Sequence, residues 1–123
     1  MLNKIYFLLC NLGITANYSG FFYTAYAVSL ALSDLETLLL VTKCLYPEIA
    51  RHYHTSAKNV ERNIRTVVGI AWDNNPQLLT RLAGRTLSAK PTATEFLAIL
   101  TTALLCSETE QENRMEIQET FLL

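Results

Sequence analysis

The chain has 123 residues, half of them apolar and 17% charged, and its formal net charge is −1. That length suits one domain burying a single core, and the composition is globular rather than disordered. The near-zero charge hides an uneven spread: nine cations face six acids up to residue 105, whereas residues 106–123 hold five glutamates against Arg114 alone.

Apolar residues recur at helical spacing almost throughout, and no stretch alternates over a strand's length between turn signals, so the expected class is all-α. The pattern predicts a compact bundle of about five to six helices. A first helix covers residues 2–12 and stops at Gly13. A second covers residues 20–32, with Phe21, Phe22, Tyr26, Val28, Leu30 and Leu32 giving bulk on more than one side. No charge occurs from Ile5 to Ser33, and a membrane span needs about 20 predominantly apolar residues. Asn11, Gly13, Thr15, Asn17, Ser19 and Gly20 interrupt that run, so two buried helices with a polar joint are expected and no membrane association. As a leader peptide, Ile5 to Cys10 is short, and the later chain reads as cytoplasmic.

Ser33 or Asp34 caps a short apolar turn over residues 35–41. Pro47 belongs in the first turn of the next helix, which ends near His54. Thr55 or Ser56 then caps a longer helix over residues 57–72, stopped by Asp73, Asn74, Asn75 and Pro76. A short helix over residues 77–83 ends at Gly84. A loop through Pro91 leads to a last helix over residues 94–105. The chain thus divides into a domain at residues 1–105 and an acidic tail or helix extension at 106–123, whose Ile117, Phe121, Leu122 and Leu123 could dock back on the domain. Cys10, Cys44 and Cys106 stand singly in apolar stretches, without CxxC pairing or a histidine at ligand spacing. They are expected to be reduced, small core residues, with no metal and no cofactor.

The informative unit is the pair of helices separated by His54 to Ser56. Ala50 permits a close crossing three residues before Tyr53, and Val60 starts the apolar back of the second helix. Its polar front carries Lys58, Asn59, Glu61, Arg62, Arg65 and Thr66, as a helix lying in a major groove requires. Arg62 and Arg65 share a face, and a guanidinium fork can grip a guanine edge or a phosphate at two points. The same residues also suit an ordinary solvated surface with Glu61 pairing Arg65 and Lys58 mildly repelling Arg62.

Three ordered motifs carry a resemblance. Val41-Thr42-Lys43-Cys44-Leu45-Tyr46-Pro47-Glu48-Ile49-Ala50-Arg51-His52-Tyr53, followed by Thr55, resembles the first helix of the helix-turn-helix in the C-terminal effector domain of the sporulation master response regulator, the stage zero sporulation protein A family of spore-forming Firmicutes. Val60-Glu61-Arg62-Asn63-Ile64-Arg65 with Ala71 and Trp72 resembles its second, DNA-reading helix. Lys90-Pro91-Thr92 with Glu95-Phe96 resembles its loop into the final helix. The likeness spans residues 5 to 105.

The resemblance implies that Glu61 and Arg62 read base edges, and that Arg65 and Lys90 lie at the DNA interface or on phosphates. Asn59 joins the base-reading set by position, and Lys58, Thr66 and Thr55 join the backbone set. Asn59 stands where the family usually has an arginine, and Thr66 where it often has a histidine. The loop between Thr86 and Lys90 is shorter. The receiver domain that precedes this effector in the family has no counterpart, so the chain reads as a stand-alone effector or an excised fragment.

His52 and His54 are expected to be solvated, and Trp72 and the six tyrosines to be core residues rather than a stacking platform for single strands. No nucleophile has a plausible base nearby and no glycine loop cradles phosphate, so the chain is not expected to be an enzyme. The expected function is a sequence-specific regulator of sporulation type that binds double-stranded DNA. RNA polymerase or another regulator is a candidate partner, and the protein is a monomer or weak dimer that pairs on DNA. The alternative is a receiver-less interaction module that titrates or modulates another regulator.

Overall fold

The computed structural model describes residues 1–122, with side chains to residue 107. Regular structure among these residues is helical throughout: α1 Leu2–Asn11, α2 Ser19–Ser33, α3 Tyr46–His52, α4 Ala57–Asn74, α5 Pro76–Ala83 and α6 Ala93–Leu122. The fold is therefore all-α, and α4 crosses its centre, packing against α2, α3, α5 and α6.

Helical spacing explains which faces are buried. Ile5 and Leu9 are fully buried along one stripe of α1, and so is Leu12, its C-cap. Past that stripe, the Gly13 amide donates to the Cys10 carbonyl at 2.9 Å and the Ile14 amide to the Leu9 carbonyl at 3.0 Å. This is a Schellman ending, and Gly13 supplies its left-handed residue at φ 86°. The Asn75 amide group donates to the Asn11 carbonyl at 3.0 Å, tying the end of α1 to the end of α4. In α6, Phe96, Leu97 and Leu100 are fully buried.

Gly20 in the first turn of α2 lies directly against α4. A Cβ there would lie 2.5 Å from Val67 Cγ2 and would also collide with the Asn63 carbonyl. Only glycine lets the two backbones meet at this distance.

Two segments differ from the sequence expectation in path. The apolar turn after α2 is a 3₁₀ turn over Leu35–Leu39, capped by Asp34, whose carboxylate accepts from the Glu36 amide at 3.2 Å. A π-helical turn over Val41–Leu45 then runs straight into α3, with the Leu45 amide donating to the Leu40 carbonyl and the Tyr46 amide to that of Val41. Such wide turns place one residue more per hydrogen-bonded ring than an α-helix. The backbone of α6 runs on past residue 105 to Leu122, the helix extension that the sequence allows as one of its two readings of 106–123. The expected docking of Ile117, Phe121, Leu122 and Leu123 falls outside the described side chains.

The cysteines correct the sequence reading, since Cys10, Cys44 and Cys106 are all exposed. Cys10 follows buried Leu9 and Cys44 precedes buried Leu45, so each points well round its helix axis from a core position. The tyrosines divide: Tyr23 and Tyr46 are buried, whereas Tyr18 and Tyr53 are exposed. Trp72 is half-buried. No helix among the described residues is long and apolar enough to cross a membrane.

Candidate nucleic-acid interface

The turn between α3 and α4 is fixed by backbone bonds. The Tyr53 amide donates to the Ile49 carbonyl at 3.0 Å, that of His54 to Arg51 at 3.4 Å, and that of Thr55 to Ala50 at 2.9 Å. This is a second Schellman ending, but its left-handed residue is His54, at φ 54°, where glycine is usual. Ser56 then restarts the helix, its hydroxyl accepting from the Asn59 amide at 3.1 Å.

The first helix thus stops at His52, two residues before the expected end, because the turn needs Tyr53 and His54 in non-helical conformations. The second runs to Asn74, where Asn75 caps α5 by accepting from the Leu78 amide at 3.2 Å.

Helix α4 has two unlike sides. Val60, Ile64, Val67, Val68 and Ala71 are buried, while Lys58, Arg62, Arg65 and Thr66 are exposed. The Arg62 guanidinium forms no ion pair with a described residue, and its carbonyl accepts from the Thr66 hydroxyl at 3.1 Å. Arg65 instead donates to Glu61 Oε1 at 2.6 Å, with side chains 65% and 41% exposed.

Asn59 is half-buried and already occupied. Its amide group donates to Thr55 Oγ1 at 2.9 Å, and its Oδ1 accepts from the Asn63 amide group at 3.1 Å. Thr55, Asn59 and Asn63 therefore form a ladder along one flank. That ladder leaves Asn59 less hydrogen-bonding capacity for a base edge than the exposed arginines have.

Lys90 does not lie in a loop away from α4, as its distance in sequence suggests. It lines the same cleft as Glu61 and Arg65, about 440 Å³ in volume, with Thr42, Tyr46 and Thr92 among the other walls. The chain returns there because Thr92 caps α6, its hydroxyl accepting from the Glu95 amide at 3.1 Å. Arg85 is 3.7 Å from Glu95 and bridges the loop to α6.

Sequence reasoning missed Tyr46, Thr42 and Thr94 as cleft residues. The spacing of Thr92 to Glu95 was the one available signal, since a threonine three residues before a glutamate marks a helix start. Burial pushes the Tyr46 phenol above the usual tyrosine range and Glu61 adds to that, against Arg65 and a hydrogen bond with Thr94.

A second cluster lies where α2 meets α3. The His52 ring stacks on Tyr26 at 4.4 Å, with Tyr53 edge-on to both. Glu48 accepts from Arg51 at 2.6 and 2.9 Å, and from the Tyr26 hydroxyl at 3.3 Å. The hydrogen bond from Arg51 holds the Glu48 carboxyl below the usual range. Arg51 is thereby committed to Glu48, whereas Arg62 is uncommitted. His52 and His54 are exposed, as expected.

Two helices joined by a tight turn, the second buried along its back and cationic along its front, define a helix-turn-helix domain. Residues 5–104 match the family described as sporulation initiation factor Spo0A, C terminal. The chain belongs to that family, which is one of DNA-binding regulatory domains, and is a DNA-binding domain of the sporulation-regulator type.

Proposed function

We propose that the chain is a sequence-specific transcription regulator that lays α4 in the major groove of double-stranded DNA in the cytoplasm. The observation that carries this reading is the uncommitted Arg62 on the exposed face of α4, with Arg65 and Lys90 flanking one cleft. Arg62 stands one turn into the helix, within the part that such motifs insert deepest. It reads a base, guanine by preference, and Glu61 reads a neighbouring one. Lys58, Arg65, Thr66 and Lys90 hold the backbone, and Thr55 and Asn59 fix the start of the helix. Two copies pair on tandem sites, with little association in free solution, and RNA polymerase or another regulator is the further partner.

The test is a salt series on a duplex selected from a library and on its scrambled counterpart, with circular dichroism as the folding control. Arg62→Ala costs about 1–3 kcal/mol on the selected site and flattens the preference. Lys90→Ala weakens both duplexes alike and lowers the salt slope by about one. If both variants match the wild type, this surface is not a DNA interface. A folded protein that binds no duplex at low salt favours the second reading, an interaction module. Leu39, 83% exposed, with Leu35 and Leu40 also exposed, supports that reading.

A further inference from the structure

One acid and two cations line the cleft beside α4. Glu61 is the sole acidic residue among those lining it, and Arg65 and Lys90 are the cations. Glu61 already holds Arg65 at 2.6 Å. The guanidinium that would meet a phosphate is thus engaged by a carboxylate on the surface that would meet a base.

In water this engagement is weak, because an exposed pair at i, i+4 gains little over two solvated charges. Docking changes the balance by stripping water from both groups. An ionised carboxylate only accepts hydrogen bonds, so once dry it needs an N–H partner. Adenine N6 and cytosine N4 offer such a donor in the major groove, whereas guanine O6 and N7 and thymine O4 are acceptors that repel it.

We propose that Glu61 makes the phosphate contact of Arg65 conditional on the base that α4 meets. Opposite an amino group, Glu61 exchanges Arg65 for the base and the guanidinium turns to the backbone. Opposite a carbonyl, Glu61 keeps Arg65 and the phosphate goes without it. Glu61 is then a specificity-determining residue acting through Arg65, and a contact that carries no sequence information by itself acquires some. The proposal rests on the DNA-binding reading above.

A double-mutant cycle on the full chain tests it, using Glu61→Gln, Arg65→Ala and both together against the selected and scrambled duplexes. Glutamine keeps the size and helix preference of glutamate but cannot hold Arg65 by charge. Glu61→Gln should tighten the scrambled duplex about tenfold while changing the selected one far less, the scale of one discriminating base contact. With Arg65 present the same change should also steepen the salt dependence on the scrambled duplex by about one, and in the Arg65→Ala background it should leave that slope unaltered, because only Arg65 can add the phosphate contact. An equal effect in both backgrounds reduces Glu61 to long-range repulsion of phosphates and overturns the proposal. Loosening of both duplexes by Glu61→Gln overturns it as well. Should circular dichroism show Glu61→Gln unfolded, Glu61→Ala runs through the same cycle. No binding by the wild type at low salt overturns the DNA-binding reading itself, whereas selective wild-type binding with an additive cycle overturns this inference alone.

Discussion

His54 shows how much one residue contributes to the geometry of the turn. An L-residue held in the left-handed region costs about 1–2 kcal/mol relative to the right-handed one, and His54 sits there at φ 54°. His54→Gly should raise the unfolding free energy in urea by about 0.5–1 kcal/mol, after allowance for glycine's freer unfolded state. A loss of stability would show that the imidazole contributes more than its backbone costs. Thr24 gives a second case, being fully buried with no partner for its hydroxyl. Thr24→Val keeps the shape and removes an unsatisfied group, so thermal unfolding should show a gain of about 1 kcal/mol. The cysteines show why single residues are hard to read from sequence. Cys10 and Cys44 have apolar neighbours, but burial follows the angle around the helix axis, and neighbours in sequence point in different directions.

At the level of elements, capping chemistry made the boundaries legible. Ser56, Asn75 and Gly84 mark helix ends in the sequence by the type of residue alone, and the structure uses each as a cap. The buried stripe of α4 followed from its 3.6 period in the same way. Neither the π-helical turn nor the cleft was legible. The turn has no residue signature, and the cleft joins Arg65 to Lys90 through α5 and its following loop, a tertiary approach that periodicity does not carry. Gly20 belongs with these, because a glycine in a helical pattern says nothing about which neighbour it lets in. Gly20→Ala should lower stability by about 1–3 kcal/mol, the usual cost of overpacking. It should also weaken DNA binding in a titration of protein that remains folded, since the added methyl pushes on α4 at Asn63 and Val67. Unchanged stability would mean that α2 yields instead of α4.

At the scale of the whole molecule, charge is divided along the chain, with a cationic excess up to residue 105 and five glutamates beyond it. An acidic segment attached to a DNA-binding body competes with DNA for the same cations at low salt. Removing residues 108–123 should therefore tighten duplex binding at low salt and make little difference at high salt, as fluorescence anisotropy would record. Equal affinity at low salt would leave the segment without an electrostatic role. The π-helical turn over Val41–Leu45 runs without a break into α3 and so sets the phase of that helix. Deleting one residue there would let the turn relax to an α-helix, whose ring holds one residue fewer, with little net rotation of α3. Val41 and Leu45, both buried, would then stand three positions apart and still share one helix face. A single-codon deletion in that turn should therefore be absorbed, whereas the same deletion inside α4 would throw its buried stripe out of phase, so the chain can shorten here and not in the helix that follows.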